Sequence, residues 1–164
     1  MTIKLKNKDT LIFDEFEFKC CIGKYGLTNN KQEGDKKTPK GIFSLENLYF
    51  RKDRNSKPHT KLKIIPIKKN MAWSHDIKSK KNYNKLIYAK KGIRYEKLFR
   101  RDFKYDFLIP IKYNWKHRTL GKGSAIFIHL TKNYKSTAGC IGLKKKDFLI
   151  LIKLINSKTK IIIS

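Results

Sequence analysis

The stretch SAIFIHLTKNYKSTAGCIGLKKKDFLILIKLI, residues 124–155, carries the strongest structural signals of the chain. Its first seven residues predict a β-strand, with Ala125, Phe127 and His129 on one face because side chains alternate along a strand. A polar segment then leads to the small-residue turn STAGC, which ends at Cys140. A histidine at a strand end therefore precedes a cysteine by eleven residues, and the two are candidates for one site.

The last part of this stretch predicts the main helix of the protein, over residues 144–158. Its apolar residues recur at intervals of three and four, which gives one buried stripe: Phe148, Leu151, Ile152 and Ile155. Asp147 near the start suits the positive end of the helix dipole, and the lysines near the end suit the negative end.

Short β-rich runs dominate the remainder of the chain. They are TIKLK (2–6), TLIF (10–13), FEFKCCIG (16–23), GIFSLENLYFR (41–51), KLKIIPIK (61–68), YDFLIPIKYN (105–114) and KIIIS (160–164). Clusters rich in Gly, Pro and Asn separate them, and the middle segments 79–87 and 95–102 are expected to be loops or short helical turns. We expect a mostly β protein with one main helix after Cys140, folded as a single domain over residues 1–164.

The charge balance is strongly basic, with 40 Lys and Arg against 13 Asp and Glu and a net charge of +27. Nucleic acid, anionic lipid or an acidic polymer are all compatible with such a charge. Only six of the basic residues are Arg, the usual reader of bases and phosphates, so a solvated lysine-rich surface is the simpler interpretation. A basic nucleic-acid-binding module without catalysis remains the alternative, although no RNP, KH or helix-turn-helix pattern is present.

The three cysteines do not form a disulfide framework or a zinc motif. Cys20 and Cys21 are neighbours on a predicted strand and point to opposite faces, so we expect both to be packing residues. The first residues contain charges throughout and show no export signal, and no apolar run approaches the length of a membrane span.

Cys140 and His129 have two interpretations. In one, the Cys140 thiolate is a nucleophile, His129 generates it, and a backbone carbonyl orients the other ring nitrogen. Gly139 permits an unusual backbone conformation, and the N–H groups of Gly139 and Cys140 would bind an oxyanion. In the other interpretation both residues are ordinary buried occupants of a β-domain, because cysteine and histidine close together in sequence are weak support for catalysis.

A family resemblance favours the first interpretation. IHLTKNYKSTAGCIGL (128–143) resembles the active-site signature of the L,D-transpeptidase catalytic domain, the YkuD-type cysteine peptidoglycan transpeptidases. The matching residues are His129, Thr137, Gly139, Cys140 and Ile141. CIGKYGLTNNKQEGDKKTPKGIFSL, MAWSHD, NYNKLI and YEKLFRRDFKYDFLIPIKYN are similar to upstream family segments, in the family order. The resemblance covers about Phe16 to Ile163 and implies a β-sandwich or barrel.

The chain also departs from the family pattern. Many members carry Arg two positions after the cysteine, where this chain has Gly142, and many carry Ser where this chain has Thr137. His75 occupies a position where an acidic residue is more usual in this branch. Lys24, Arg100, Arg101 or Lys132 can replace the missing Arg in holding substrate carboxylates, and the sequence does not choose among them.

The resemblance implies a thioester mechanism on a peptidoglycan stem peptide. Cys140 attacks the bond after the third residue of the stem, with His129 as base, and an amine or water resolves the thioester. Thr137, Lys24, Trp73, Asp76 and Arg101 are the predicted substrate contacts. For Trp73 a core position, and for Asp76 a solvated loop charge, are the simpler alternatives.

The resemblance further implies that no metal or organic cofactor is required, that stem peptides rather than nucleic acid are the partners, and that the protein acts as a monomer. It places the activity in the periplasm or cell envelope, although no signal peptide is visible. Papain-like peptidases place Cys before His, and sortases separate His from Cys widely. The order of His129 and Cys140 fits neither class.

Overall fold

The computed structural model describes all residues, 1–164, and confirms a mostly β protein with one helix. The strands are β1 (Thr2–Lys6), β2 (Thr10–Phe13), β3 (Phe16–Cys21), β4 (Leu27–Thr28), β5 (Thr38–Pro39), β6 (Gly41–Ser44), β7 (Leu48–Phe50), β8 (Ile64–Pro66), β9 (Met71–Ser74), β10 (Lys85–Tyr88), β11 (Tyr95–Lys97), β12 (Phe107–Pro110), β13 (Phe127–Leu130), β14 (Ile141–Leu143) and β15 (Lys160–Ile163). The helix is α1 (Lys145–Leu154).

Ten strands form one curled sheet in the order β6-β15-β1-β2-β3-β14-β13-β12-β7-β8. β13 and β14 lie at its centre and run parallel, with Ile128 opposite Ile141. Because this register sets Cys140 level with Phe127, and His129 opposite Gly142, strand alternation places the sulfur and the imidazole on the same face of the sheet. The other face carries Ile128 and Ile141 into the main core.

α1 covers that core face and packs against β13. Phe148, Leu151 and Ile152 are buried as the apolar stripe predicted, and each such side chain contributes about 1.5–3 kcal/mol by leaving water. The helix is shorter than predicted and ends at Leu154. Asn156 ends it, because its side chain accepts the Lys158 N–H in a local turn that competes with helical hydrogen bonding.

The two middle segments expected to be loops contain strands instead. β10 and β11 flank β9 in a separate three-stranded sheet, ordered β10-β9-β11. β10 alternates half-buried and exposed side chains, and its apolar run is only three residues long, so its pairing with β9 is what makes it a strand. This small sheet matters for function, because His75 follows β9 and Glu96 lies in β11, and both residues reach the cavity described next.

α1 is the only helix, and at 10 residues it is too short to cross a membrane.

Candidate active site

An open cavity of about 720 Å³ lies on the sheet face that carries His129 and Cys140. Both side chains line it, together with Thr137. The loop between β13 and β14 forms one wall, the turn at residues 31–34 contributes to another, and residues 96–105 contribute to a third. The cavity therefore brings together the two residues that the sequence pattern singled out.

The Cys140 thiol sits at the inner end of the cavity, with 8% of the residue exposed. Its Sγ donates a hydrogen bond to the Ala125 carbonyl at 3.2 Å and accepts one from the Phe127 N–H at 3.3 Å. Burial raises the pKa of Cys140 to about 12, and the Phe127 N–H opposes this only in part. At neutral pH the residue is a protonated thiol rather than a preformed thiolate.

The Ala125 carbonyl that accepts this thiol is held in place by Asn84. Ala125 has a left-handed backbone with φ of 51°, which is uncommon for a residue with a Cβ. Its N–H donates to Asn84 Oδ1 at 3.1 Å, and the same oxygen accepts the Trp73 indole N–H at 2.9 Å. The Asn84 amide group donates to the carbonyls of Tyr113 and Asn114. Asn84 is thus buried and fully hydrogen-bonded, and it fixes the backbone against which the Cys140 thiol rests.

His129 is buried on β13 with one ring nitrogen fixed. Nδ1 lies 2.9 Å from the Leu130 carbonyl, which only accepts hydrogen bonds, so Nδ1 carries the proton. Nε2 then has a free lone pair, as a general base requires. Burial lowers the pKa of His129 to about 4, so the imidazole is neutral at pH 7. The Tyr105 ring contacts it edge-to-face, with ring centroids 5.5 Å apart.

No hydrogen bond joins His129 to Cys140 in this structure, because the thiol donates to Ala125 instead. The two groups face the same cavity as diagonal neighbours on adjacent strands. The two side chains therefore share one cavity without a direct hydrogen bond between them.

The glycine turn before Cys140 is rigidly held. Gly139 has φ of +141°, and a Cβ there would lie 2.8 Å from the Lys37 carbonyl oxygen. The Thr137 hydroxyl accepts the Gly139 N–H at 3.0 Å and donates to the Cys140 carbonyl at 2.6 Å. Thr137 therefore fixes the turn, and its hydroxyl is already engaged.

This arrangement corrects the expected pair of oxyanion donors. The Gly139 N–H is taken by Thr137, whereas the Cys140 N–H has no acceptor within the chain. Of the two N–H groups, only that of Cys140 is free to meet an oxyanion at this turn.

Four of the five predicted substrate contacts lie outside the cavity. Trp73 is a buried core residue bonded to Asn84. Asp76 accepts the backbone N–H groups of Lys78 and Arg94, which hold the pKa of its carboxyl below the usual value and occupy both of its oxygens. Local turn formation rather than substrate recognition accounts for Asp76, and neither residue is supported as a contact.

Lys24 and Arg101 are exposed and are likewise absent from the cavity wall. The ammonium of Lys24 lies over the Tyr25 ring instead. Arg100 and Lys132, two of the alternatives to the missing Arg, do line the cavity. Arg100 forms an ion pair with Asp102, with 2.6 Å between Nη2 and Oδ2.

Five charged residues that the sequence pattern did not single out also line the cavity: Lys31, Glu33, Glu96, Lys104 and Lys135. Glu33 Oε2 accepts the hydroxyls of Tyr83 and Ser124, at 2.6 and 2.8 Å. Glu96 Oε1 accepts the Tyr105 hydroxyl at 2.5 Å. Lys31 and Glu33 belong to a Gly-, Asp- and Pro-containing stretch that predicts only a turn. Apart from the family resemblance, nothing in the sequence therefore indicated that these two residues lie at the site.

The position that carries Arg in many family members has no room for a side chain here. A Cβ at Gly142 would lie 2.6 Å from Cys21 Sγ and 3.2 Å from Thr131 Cβ. β14 pairs with β3 so that Gly142 is opposite Cys21, and the sulfur occupies the space that a side chain would need. Cys21 on the neighbouring strand therefore fills the space beside Gly142.

No group of three or more His, Cys, Asp and Glu side chains is arranged to hold a metal ion. The chemistry that the cavity offers comes from a thiol, a neutral imidazole, a free backbone N–H and several charged groups.

The comparisons with known proteins point the same way. The family model for the L,D-transpeptidase catalytic domain (YkuD) matches residues 3–163. Comparisons with curated proteins and with solved structures found no match. The family match spans nearly the whole chain and includes both residues of the cavity that the sequence pattern singled out, so the chain belongs to the L,D-transpeptidase catalytic domain family.

Proposed function

We propose that this protein is a cysteine L,D-transpeptidase that acts on peptidoglycan stem peptides, with Cys140 as nucleophile and His129 as base. The observation that carries the proposal is the shared cavity, in which Cys140 and a neutral His129 with a free Nε2 face the same space. Family membership supports the substrate class, because the family domain is a transpeptidase of peptidoglycan.

The reaction begins with transfer of the Cys140 proton to His129 Nε2. The thiolate attacks the carbonyl carbon of the bond after the third stem residue, and a carbon–sulfur bond forms. The negative oxygen of the tetrahedral intermediate accepts the free Cys140 N–H. When the intermediate collapses, the carbon–nitrogen bond breaks and the imidazolium returns its proton to the leaving amine, which departs as a terminal D-amino acid.

The second half of the reaction reverses these roles. An amine of another stem peptide gives a proton to His129 as its nitrogen attacks the thioester carbon. The carbon–sulfur bond breaks, Cys140 recovers the proton, and a new amide cross-links the two stems. When water attacks instead, the product is a trimmed stem with a free carboxylate, which is L,D-carboxypeptidase activity.

The resting pair is neutral, because burial raises the pKa of Cys140 and lowers that of His129. The thiolate–imidazolium pair therefore forms only transiently, at the start of the reaction, and is not the resting state. For this proton transfer, the Cys140 thiol must give up its hydrogen bond to the Ala125 carbonyl.

We further infer that residues 1–164 act as one catalytic domain and as a monomer, since the nucleophile and the base come from one chain. The substrate places the activity in the cell envelope, where peptidoglycan lies. The alternative of a basic nucleic-acid module has only the net charge of +27 in its favour.

The test is incubation with defined tetrapeptide muropeptides, with products followed by mass. We expect loss of the terminal D-amino acid and formation of a cross-linked dimer, and a carbapenem should add its mass to the tryptic peptide 136–144, which contains Cys140. Cys140→Ala should abolish both results, whereas Cys21→Ala removes a buried thiol outside the cavity and should retain them. Turnover that survives Cys140→Ala would refute the proposal. Salt-sensitive nucleic-acid binding without turnover would favour the alternative.

A further inference from the structure

A buried lysine contributes a charge to the cavity that the mechanism above does not use. Lys31 is only 4% exposed, which is rare for a lysine. Its ammonium forms an ion pair with Asp35 and donates to the Gln32 carbonyl at 3.0 Å. The third N–H of the ammonium has no acceptor within the chain. Lys31 lines the cavity, so this free donor belongs to a group at the cavity wall.

The ammonium lies against the turn that carries the nucleophile. Lys31 Nζ is 3.6 Å from the point where a Cβ on Gly139 would be, and Gly139 directly precedes Cys140. The stem of Lys31 runs past Gly123, where a Cβ would lie 2.7 Å from Lys31 Cγ. The two glycines leave the space through which this side chain reaches the site.

Asp35 holds the ammonium from outside the cavity. Its carboxylate accepts the backbone N–H groups of Gln32 and Lys37 as well as the Lys31 ammonium, and it is not part of the cavity wall. The positive end of the ion pair therefore faces the site, and the negative end faces away from it. Such an arrangement gives the cavity a net positive contribution even though the pair is neutral overall.

The other charged and titratable groups near Cys140 do not supply this charge. Glu96 is an anion and raises the pKa of the thiol, as burial also does, whereas Lys31 lowers it. His129 is neutral at pH 7, and Tyr105 keeps its proton because burial raises its pKa. Cys21, on β3, adds a small effect of the same sign as Glu96. Arg100, Lys104, Lys132 and Lys135 also line the cavity, but Lys31 is the cation that lowers the pKa of the Cys140 thiol.

We infer that Lys31 supplies a permanent positive charge that stabilises the Cys140 thiolate, in addition to the imidazolium that His129 becomes when it takes the proton. This inference rests on the proposed function for its biological meaning, but the charge effect itself concerns the thiol alone. In the reaction, the Lys31 ammonium then acts on the thiolate, and the free Cys140 N–H acts on the oxyanion that forms after attack.

The experiment measures the alkylation rate of Cys140 by iodoacetamide as a function of pH. The tryptic peptide 136–144 isolates Cys140 from Cys20 and Cys21, and intact folding is checked by thermal unfolding. Lys31→Met keeps the length of the side chain and removes its charge. We expect about a tenfold slower alkylation at fixed pH, because a nearby cation favours the charged form by one pKa unit or more.

A second variant is expected to change the alkylation rate in the opposite direction. Asp35→Asn leaves the ammonium without its counter-charge, so alkylation should become faster than in the unchanged protein. The double variant Lys31→Met/Asp35→Asn should lie between the unchanged protein and Lys31→Met. Lys40→Met removes the charge of an exposed lysine and should leave the rate unchanged.

These outcomes separate a charge effect from damage to the fold. Unfolding exposes the thiol and accelerates alkylation, which is the opposite of the result expected for Lys31→Met. An unchanged or faster rate in folded Lys31→Met would overturn the inference, and so would an unchanged or slower rate in Asp35→Asn. If Lys31→Met does not fold, the Asp35→Asn result alone decides. Failure of the muropeptide assay with the expected alkylation pattern would reject the proposed function and leave the charge effect of Lys31 standing.

Discussion

The neutral, buried state of His129 predicts a specific dependence of stability on pH. Burial lowers the pKa of its imidazole from 6.5 to about 4. Between these pH values the imidazole binds a proton in the unfolded chain but not in the folded chain. The free energy of unfolding therefore falls as pH falls from 6.5 to 4. The contribution of the neutral imidazole to the free energy of unfolding is fully present above pH 6.5. A difference of roughly 2.5 pKa units at about 1.36 kcal/mol each gives about 3 kcal/mol lost across this window.

The matched variant is His129→Asn. An Asn amide can donate to the Leu130 carbonyl, as His129 Nδ1 does, but it does not titrate. We expect the variant to lack this part of the pH dependence. Urea unfolding followed by tryptophan fluorescence at pH 7.5, 6.5, 5.5 and 4.5 gives the free energy of unfolding for both proteins. Carboxylates common to both proteins cancel in the difference.

The expected result is a gap between the two proteins that changes by about 2.5 kcal/mol between pH 7.5 and pH 4.5, in favour of the variant at low pH. Parallel curves would refute the argument, because they would mean that His129 accepts a proton in the folded protein as easily as in the unfolded one. The imidazolium, rather than the neutral base, would then be present at the site below pH 6.5.

Two further predictions concern packing around the site. Gly142→Ala brings a Cβ to 2.6 Å from Cys21 Sγ and should cost about 1–3 kcal/mol in urea unfolding, and Cys21→Ala in the same chain should recover about 1 kcal/mol or more of that loss. Strict additivity of the two substitutions would contradict this close contact. Asn84→Ala leaves the buried Trp73 and Ala125 N–H groups without an acceptor, so we expect a loss of about 2–4 kcal/mol and altered alkylation of Cys140. A loss of unfolding free energy below about 1 kcal/mol would show that the hydrogen bonds of Asn84 are not needed for stability.

In the resting site, Cys140 is a hydrogen-bonded, protonated thiol and His129 is a neutral imidazole with a lowered pKa. The Ala125 carbonyl keeps the Cys140 proton, and Asn84 keeps that carbonyl in place. Ionisation of Cys140 is disfavoured while its sulfur faces the protein, because burial raises the pKa of the thiol. Under the proposed mechanism, reactivity depends on release of the thiol from the Ala125 carbonyl and on the few groups that favour negative charge.

Local patterns were sufficient for the regular elements near the site. The alternation before His129 and the apolar stripe around Phe148 correspond to β13 and α1. β10 and β11 were not predictable in this way, because their residues show no apolar alternation and become strands only by pairing with β9. The same limit applies to the helix end, where the side chain of Asn156 competes with the backbone.

For the candidate site, residue types and their order identified Cys140, His129 and the glycine turn, since this chemistry needs a thiol, an imidazole and a flexible backbone near one another. Which N–H is free, and that Trp73 and Asp76 are structural, followed only from the hydrogen bonds of the folded chain. A side chain's partners depend on the strands that fold beside it, and those partners are far away in sequence.

The sequence by itself determined the β-rich class, the terminal helix and the candidate pair, because strand alternation, helical periodicity and motif order are local properties. Only the tertiary structure decided that His129 is a neutral imidazole, that Cys140 rests as a thiol, and that Lys31 reaches the cavity. Burial and the distance between charges set these properties, and both arise when β3, β13, β14 and the turn at Lys31 come together.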